Sequence, residues 1–317
     1  MFDKITIRTK LSNEECVHLS HSHFLHFWIN SDGTQVEYRS GEYSKFSGVE
    51  ISIKKNVLSM KTSLHKYWNN RNYGMLRNDN VFTISEAKSA FLMLMSENRL
   101  HPDKVYITQF ELGLNLNVSY DPLTFIEQVK HITTSRNKQM FIDANYRINR
   151  QRTTEKYKEI RKYYKIYDKG WEMMEKKRQP AIQRDNKTKI LRIETCYRRH
   201  NDRSDKFFTD NNIDRLINRF YSDWKNLIFY KDVNGKKGTH KSEIERAKMI
   251  INEGEESYLK YIKSDFENNK ISENQYRTIR EFVRDFKKVQ SKLRIIISKQ
   301  EMEYNELLFR VYKDARC

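Results

Sequence analysis

The segment Tyr163-Tyr164-Lys165-Ile166-Tyr167-Asp168-Lys169 holds the residue types best suited to chemistry on a phosphodiester. A phenol, with a pKa of about 10, becomes a useful nucleophile only where cationic neighbours favour the phenolate. Tyr167 has a lysine two positions on, and from Arg150 to Arg178 the chain carries 11 Lys or Arg against 5 Asp or Glu, its local basic maximum. The same spacing also suits an ordinary surface element, so the segment by itself leaves nucleophile and solvated surface both open.

Three further positions could handle charge. Glu50 lies in a segment where Val49, Ile51 and Ile53 alternate with Glu50 and Ser52, and the pattern reads it as an exposed strand residue. Glu111 stands on the polar side of Val105–Leu116, whose apolar set is Phe110, Leu112, Leu114 and Leu116. Such a carboxylate is either solvated or joined by a second acid from a neighbouring strand, and paired oxygen ligands suit Mg or Mn. His65 sits in residues 57–74, where Ser63–Gly74 mixes aromatic, amide and basic residues and the stretch reads as a loop, either solvated or contacting phosphates and bases. His21, His23 and His26 have ligand-like spacing, but no carboxylate is interleaved, and they read as polar positions beside Phe24, Phe27 and Trp28.

The elements that must position these residues alternate between the two periodicities. Ile5 and Ile7 mark a strand over residues 2–10, and further strands are expected at 35–39, 46–54, 105–116, 164–168 and 189–197. Helices are expected over 84–99 with Ser85 as N-cap, after Pro122, over Trp171–Lys177, and over Phe207–Tyr230, where Ile213, Leu216, Ile217, Phe220 and Trp224 recur at helical spacing. From residue 231 basic amphipathic helices run to the end, with Ser272 and Gln275 forming a capping box for a helix that is either a recognition helix or a member of a small bundle.

Composition narrows the class. The chain has 317 residues and a net charge of +18, which favours a polyanionic partner. No long apolar run, secretory signal or lipidation motif points to a membrane. Cys16, Cys196 and Cys317 are too scattered for a disulfide framework or a thiolate zinc site, and a cytoplasmic home is expected.

The order of Val49-Glu50-Ile51-Ser52, Leu64-His65-Lys66, Thr108-Gln109-Phe110-Glu111-Leu112-Gly113-Leu114-Asn115, Lys165-Ile166-Tyr167-Asp168-Lys169 and Leu191-Arg192-Ile193-Glu194 resembles the rolling-circle replication initiators of filamentous phages and plasmids, relatives of the HUH endonucleases. The resemblance implies an α+β fold: an antiparallel sheet with flanking helices in a nicking domain over 1–200, then a helical, basic DNA-binding region over 201–317. It implies Tyr167 as nucleophile, Lys169 as its lysine, and Glu50, His65 and Glu111 around one Mg or Mn ion. Lys66, Arg71, Lys162, Lys165 and Arg192 become candidate DNA contacts. The expected activity is site-specific nicking and strand transfer through a 5′-phosphotyrosine, with DNA and a host helicase as partners. Gln109 and Asn115 stand where the family often has acids, which motivates the alternative of a non-catalytic DNA-binding regulator with the same fold. A module that binds RNA is a third reading, resting on charge and aromatic content.

Overall fold

The computed structural model describes residues 2–29, 36–132, 138–139, 141–142, 151–152, 161–175 and 189–314. Much of the basic 150–178 stretch, the Pro180 break and Cys317 lie outside the described residues. The chain runs β1 (Phe2–Lys10), α1 (Asn13–Ser22), β2 (His26–Ile29), β3 (Val36–Arg39), α2 (Tyr43–Ser47), β4 (Val49–Lys54), β5 (Val57–Ser63), α3 (Leu64–Tyr73), α4 (Ile84–Glu97) and β6 (Tyr106–Asn117). It continues through α5 (Pro122–Gln128), the short strands β7 (Val129–Ile132), β8 (Lys138–Gln139), β9 (Phe141–Ile142) and β10 (Gln151–Arg152), then β11 (Lys162–Asp168), α6 (Lys169–Glu175) and β12 (Ile190–Arg203). The remainder is α7 (Ser204–Phe207), α8 (Asp210–Lys225), β13 (Leu227–Phe229), β14 (Asp232–Gly235), α9 (Lys241–Glu253), α10 (Glu255–Glu267), α11 (Glu273–Arg284), α12 (Phe286–Gln290), β15 (Leu293–Ile296) and α13 (Lys299–Asp314).

The fold is α+β, as expected. One antiparallel sheet has the order β2-β3-β4-β5-β1-β6-β12-β11-β10-β9, its last two members only two residues each. Alternation sorts the strands into two faces. Ile5 and Ile7 of β1, Ile51 and Ile53 of β4, and Ile107, Phe110 and Leu112 of β6 are buried on one face. There Phe2 and Phe110 meet Phe207 of α7 at ring distances of 5.7 and 4.9 Å, and Phe91 of α4 meets Phe208 at 4.7 Å. Trp224 of α8 donates to Thr195 Oγ1 (3.0 Å) and meets Tyr164 edge-on, closing the β11–β12 end of this face. The opposite face carries the polar alternates.

Several local readings change. Residues 57–74 are not a loop but β5 followed by α3: Ser63 accepts from the Lys66 N–H as N-cap, and Gly74 ends the helix at φ +67°, a left-handed geometry that favours glycine. Thr83, rather than Ser85, caps α4 in a reciprocal box with Glu86. The histidine-rich segment starts in α1, capped by Ser12 and Glu15.

The expected division at 200/201 falls inside β12 and is corrected. One compact unit comprises residues 1–227 with 304–317, and a second comprises Ile228–Glu303. The C-terminal part of α13 belongs to the first because Tyr304 is fully buried there, against Phe125 (5.1 Å) and donating to Trp224 O at 3.0 Å. The second unit has its own small core, Ala247, Ile250, Tyr258, Ile262, Ile279, Val283 and Phe286. The Ser272–Gln275 capping box is present, and α11 buries Ile279 and Val283 while Arg277 and Arg280 remain exposed.

Candidate functional site

The register of the central strands stacks the polar residues in rows. Glu111, Cys196 and Tyr163 form one row across β6, β12 and β11; Gly113, Glu194 and Lys165 form the next; Asn115, Arg192 and Tyr167 form the third. The pairing of β1 with β6 shifts between Phe2 and Ile5, and both residues inside the shift reach this face: Asp3 pairs with Arg192, and Lys4 lies 3.8 Å from Glu111.

The result is a buried ionic network. Arg192 donates from Nε to Glu194 Oε1 (2.7 Å), from Nη1 to Asn115 Oδ1 (2.8 Å) and from Nη2 to Asp3 Oδ2. Asp3 also accepts from Ser63 Oγ and from Asn78 Nδ2 (3.0 Å). Lys165 Nζ donates to Glu111 Oε1 (3.2 Å) and forms an ion pair with Glu194 Oε2. Gly113 makes room for this: a Cβ there would stand 2.8 Å from Arg192 Nη2 and 3.1 Å from Glu194 Cγ.

Each charge is held by its neighbours against the cost of burial. Desolvation opposes the carboxylate of Glu194, yet Lys165 and Arg192 hold its pKa well below the usual range. Desolvation likewise opposes Lys165, but the Glu111 and Glu194 carboxylates keep its ammonium well above the ordinary lysine value. Asp3 is held low by Arg192 despite its burial.

Tyr167 is part of this network. Its hydroxyl donates to Glu194 Oε1 at 2.9 Å, and the residue is 4% exposed. Burial, then the Glu194 and Glu172 carboxylates, push its phenol pKa well up, the direction opposite to nucleophile activation. Lys169, at the start of α6, is buried and pairs with Glu172 at 2.6 Å, its Nζ lying 6.0 Å from the Tyr167 ring centre; burial lowers its pKa.

The structure does not gather Glu50, His65 and Glu111 around one ion, and that expectation is corrected. Glu50 is exposed on β4 and pairs with Lys61 of β5 at 2.8 Å; β4 lies three strands from β6, about 14 Å at ordinary strand spacing. His65 is buried in α3, with Nε2 2.8 Å from Asn80 Oδ1 and its ring stacked on Phe82 at 4.4 Å. Burial lowers its pKa to about 4. It borders a cavity of about 430 Å³ that also touches Asn80, Phe82, Asn115 and Arg192.

Among the described residues one group has metal-like spacing: ligand atoms of Glu111, Glu194 and Cys196 lie within 4.8 Å of one another. Glu194 is the second acid from a neighbouring strand that the polar alternation of β6 allowed. The set does not fit Mg or Mn. The Lys165 ammonium already lies against both carboxylates, and burial raises the Cys196 pKa, so its thiol is protonated and a poor partner for a hard cation.

Four of the five candidate DNA contacts already pair with a carboxylate. Arg192 and Lys165 are consumed by the network, and Lys162 points to the α8 side, paired with Asp223. Arg71 pairs with Glu97 at 2.6 Å and lies over the Tyr67 ring, while Lys66 is half-buried in the first turn of α3. What the sequence reading missed is a groove of about 530 Å³ at the far end of the same face, bordered by Arg8, Lys10, Tyr106, Gln109, Arg199 and Asn201. Arg8 and Lys10 are alternate outward residues of β1, a signal present in the strand pattern. Arg199 arrives through a break in the β6–β12 register between Arg198 and Asp202, where its φ is +54°. Among the described residues no carboxylate pairs with Arg8, Lys10 or Arg199. A second hollow, bordered by Lys4, Thr6, Lys61 and Arg198, shares Gln109 with the groove and reaches Glu111 and Cys196.

The chain matches no protein-family model and no curated protein. Among the described residues no helix is long and apolar enough to cross a membrane.

Proposed function

We propose that the chain acts on single-stranded DNA as a nicking and strand-transfer protein of the rolling-circle-initiator type, with Tyr167 as the nucleophile. The observation that carries this reading is the convergence of Glu111, Lys165, Tyr167, Arg192 and Glu194, drawn from three separate sequence motifs, in one cluster on three adjacent strands. The cations Arg8, Lys10 and Arg199, which no carboxylate among the described residues pairs, and the exposed ring of Tyr106 support a strand path along the same face toward that cluster. In the reaction, Tyr167 Oη attacks phosphorus and the P–O3′ bond breaks. As the ring turns away from Glu194 the phenolic proton passes to water, the 3′ oxygen takes up a proton as a free hydroxyl, and the 5′ phosphate stays on the tyrosine. Arg192 and Lys165 are the cations whose charge favours the Tyr167 phenolate. The step requires Tyr167 to turn out of the buried position it occupies.

That burial favours a second reading, a DNA-binding regulator without cleavage. Incubation with a randomised single-stranded DNA pool, in Mn and separately in EDTA, followed by mass spectrometry of the tryptic peptide Ile166–Lys169, separates the two. A nucleotide adduct on Tyr167, absent in Tyr167→Phe while binding persists, is expected. Binding without any adduct in either condition would sink the nicking reading and leave the regulator.

A further inference from the structure

We propose that the ammonium of Lys165 is the permanent cation of the Glu111–Glu194–Cys196 centre, and that this centre therefore takes no divalent ion. The three ligand atoms lie within 4.8 Å of one another, a spacing at which an ion could be shared, and Lys165 Nζ occupies that role from inside the fold: 3.2 Å from Glu111 Oε1, in ion-pair contact with Glu194 Oε2, and 3% exposed. The position is built by the sheet. Lys165 of β11 stands directly opposite Glu194 of β12, and Glu194 opposite Gly113 of β6, so Lys165 reaches Glu111 in the adjacent row.

Charge accounting points the same way. Asp3, Glu111 and Glu194 carry three negative charges, and Lys4, Lys165 and Arg192 supply three positive ones. An added divalent ion would meet an ammonium at contact distance, where burial leaves little screening. A compact ammonium with three donors can replace the ion's hold on two carboxylates, and it is covalently fixed. By keeping Glu194 charged, it also keeps the oxygen to which both Tyr167 and Arg192 donate. The inference concerns the same cluster as the nicking reading but is read by metal binding, so a chain that cleaves DNA and one that does not give the same answer.

The test is a Mn titration of the full chain followed by the electron paramagnetic resonance signal of free Mn. Wild type and Glu111→Gln are expected to deplete the signal equally. Lys165→Ala should gain one site at least tenfold tighter than any in wild type, lost again when Glu111→Gln is added, and with Cd should show a thiolate charge-transfer band from Cys196. A wild-type Mn site that disappears in Glu111→Gln would overturn the proposal, as would a folded Lys165→Ala that gains neither Mn nor Cd. Should Lys165→Ala not fold by circular dichroism, Lys165→Met retains the stem without the charge, and the wild-type comparison decides alone.

Discussion

Gly113 lies beneath the guanidinium of Arg192, so close that a Cβ on Gly113 would stand 2.8 Å from Nη2. The requirement is for space, because Arg192 is held in place by Asp3, Glu194 and Asn115 and cannot yield without breaking buried pairs. Gly113→Ala is expected to destabilise the first unit by about 1–3 kcal/mol, the usual cost of overpacking a filled interior. Urea denaturation followed by tryptophan fluorescence measures it, and an unchanged midpoint would mean that the network is looser than described.

His65 makes stability depend on pH. In the unfolded chain its imidazole takes up a proton near pH 6.5, but in the folded chain only near 4, because burial disfavours the charged ring. Between those values the unfolded state binds more protons, so the contribution of His65 is complete above pH 6.5 and lost as pH falls through 4. The full effect is about 3 kcal/mol. Asp3, held low by Arg192, adds a further loss as the pH drops below about 4. Stability measured in steps from pH 7 to 4 should fall, and His65→Gln should flatten that slope. An NMR titration placing the His65 midpoint at 6 or higher would contradict the buried neutral ring.

The groove gives a prediction about salt. Replacing Arg8, Lys10 and Arg199 together by alanine should weaken single-stranded DNA binding and reduce the slope of log affinity against log salt by about 2, since each phosphate contact on a single strand contributes about 0.7. Tyr106→Ala should cost about 1–3 kcal/mol of binding at any salt concentration, the value of one base stacked on an aromatic ring. Fluorescence anisotropy at several ionic strengths separates the two effects. A comparable loss on replacing Lys45, an exposed cation paired with Glu42, would argue for charge without a path.

Residues after 303 return to the first unit, so ending the chain before Tyr304 should harm that unit directly. Loss of the fully buried Tyr304 ring and of its bond to Trp224 O should cost about 3–5 kcal/mol, as for other large buried aromatics. Thermal melts of Tyr304→Ala would test this without removing the second unit. A melting temperature equal to that of the parent would place the C-terminal segment outside the core.

The amino-acid sequence alone determined what depends on neighbours a few positions apart. The two-residue alternation of β1, β4, β6 and β12 was legible because a strand must present one side chain in two to an apolar face, and the Ser272–Gln275 box because its partners are three residues apart. The exposure of Glu50 followed from the same alternation. Tertiary structure decided what each charge meets. Arg192 and Asp3 are 189 residues apart, and Lys165 and Glu111 are 54 apart. No local pattern distinguishes a lysine destined for phosphate from one that will be buried between two acids, since both need the same side chain on the polar side of a strand. Tyr167 as nucleophile and Lys165 and Arg192 as DNA contacts were expectations of the family resemblance, whereas their convergence, their burial, their mutual neutralisation and the distance of Glu50 from them arose from the pairing of β1, β6, β11 and β12.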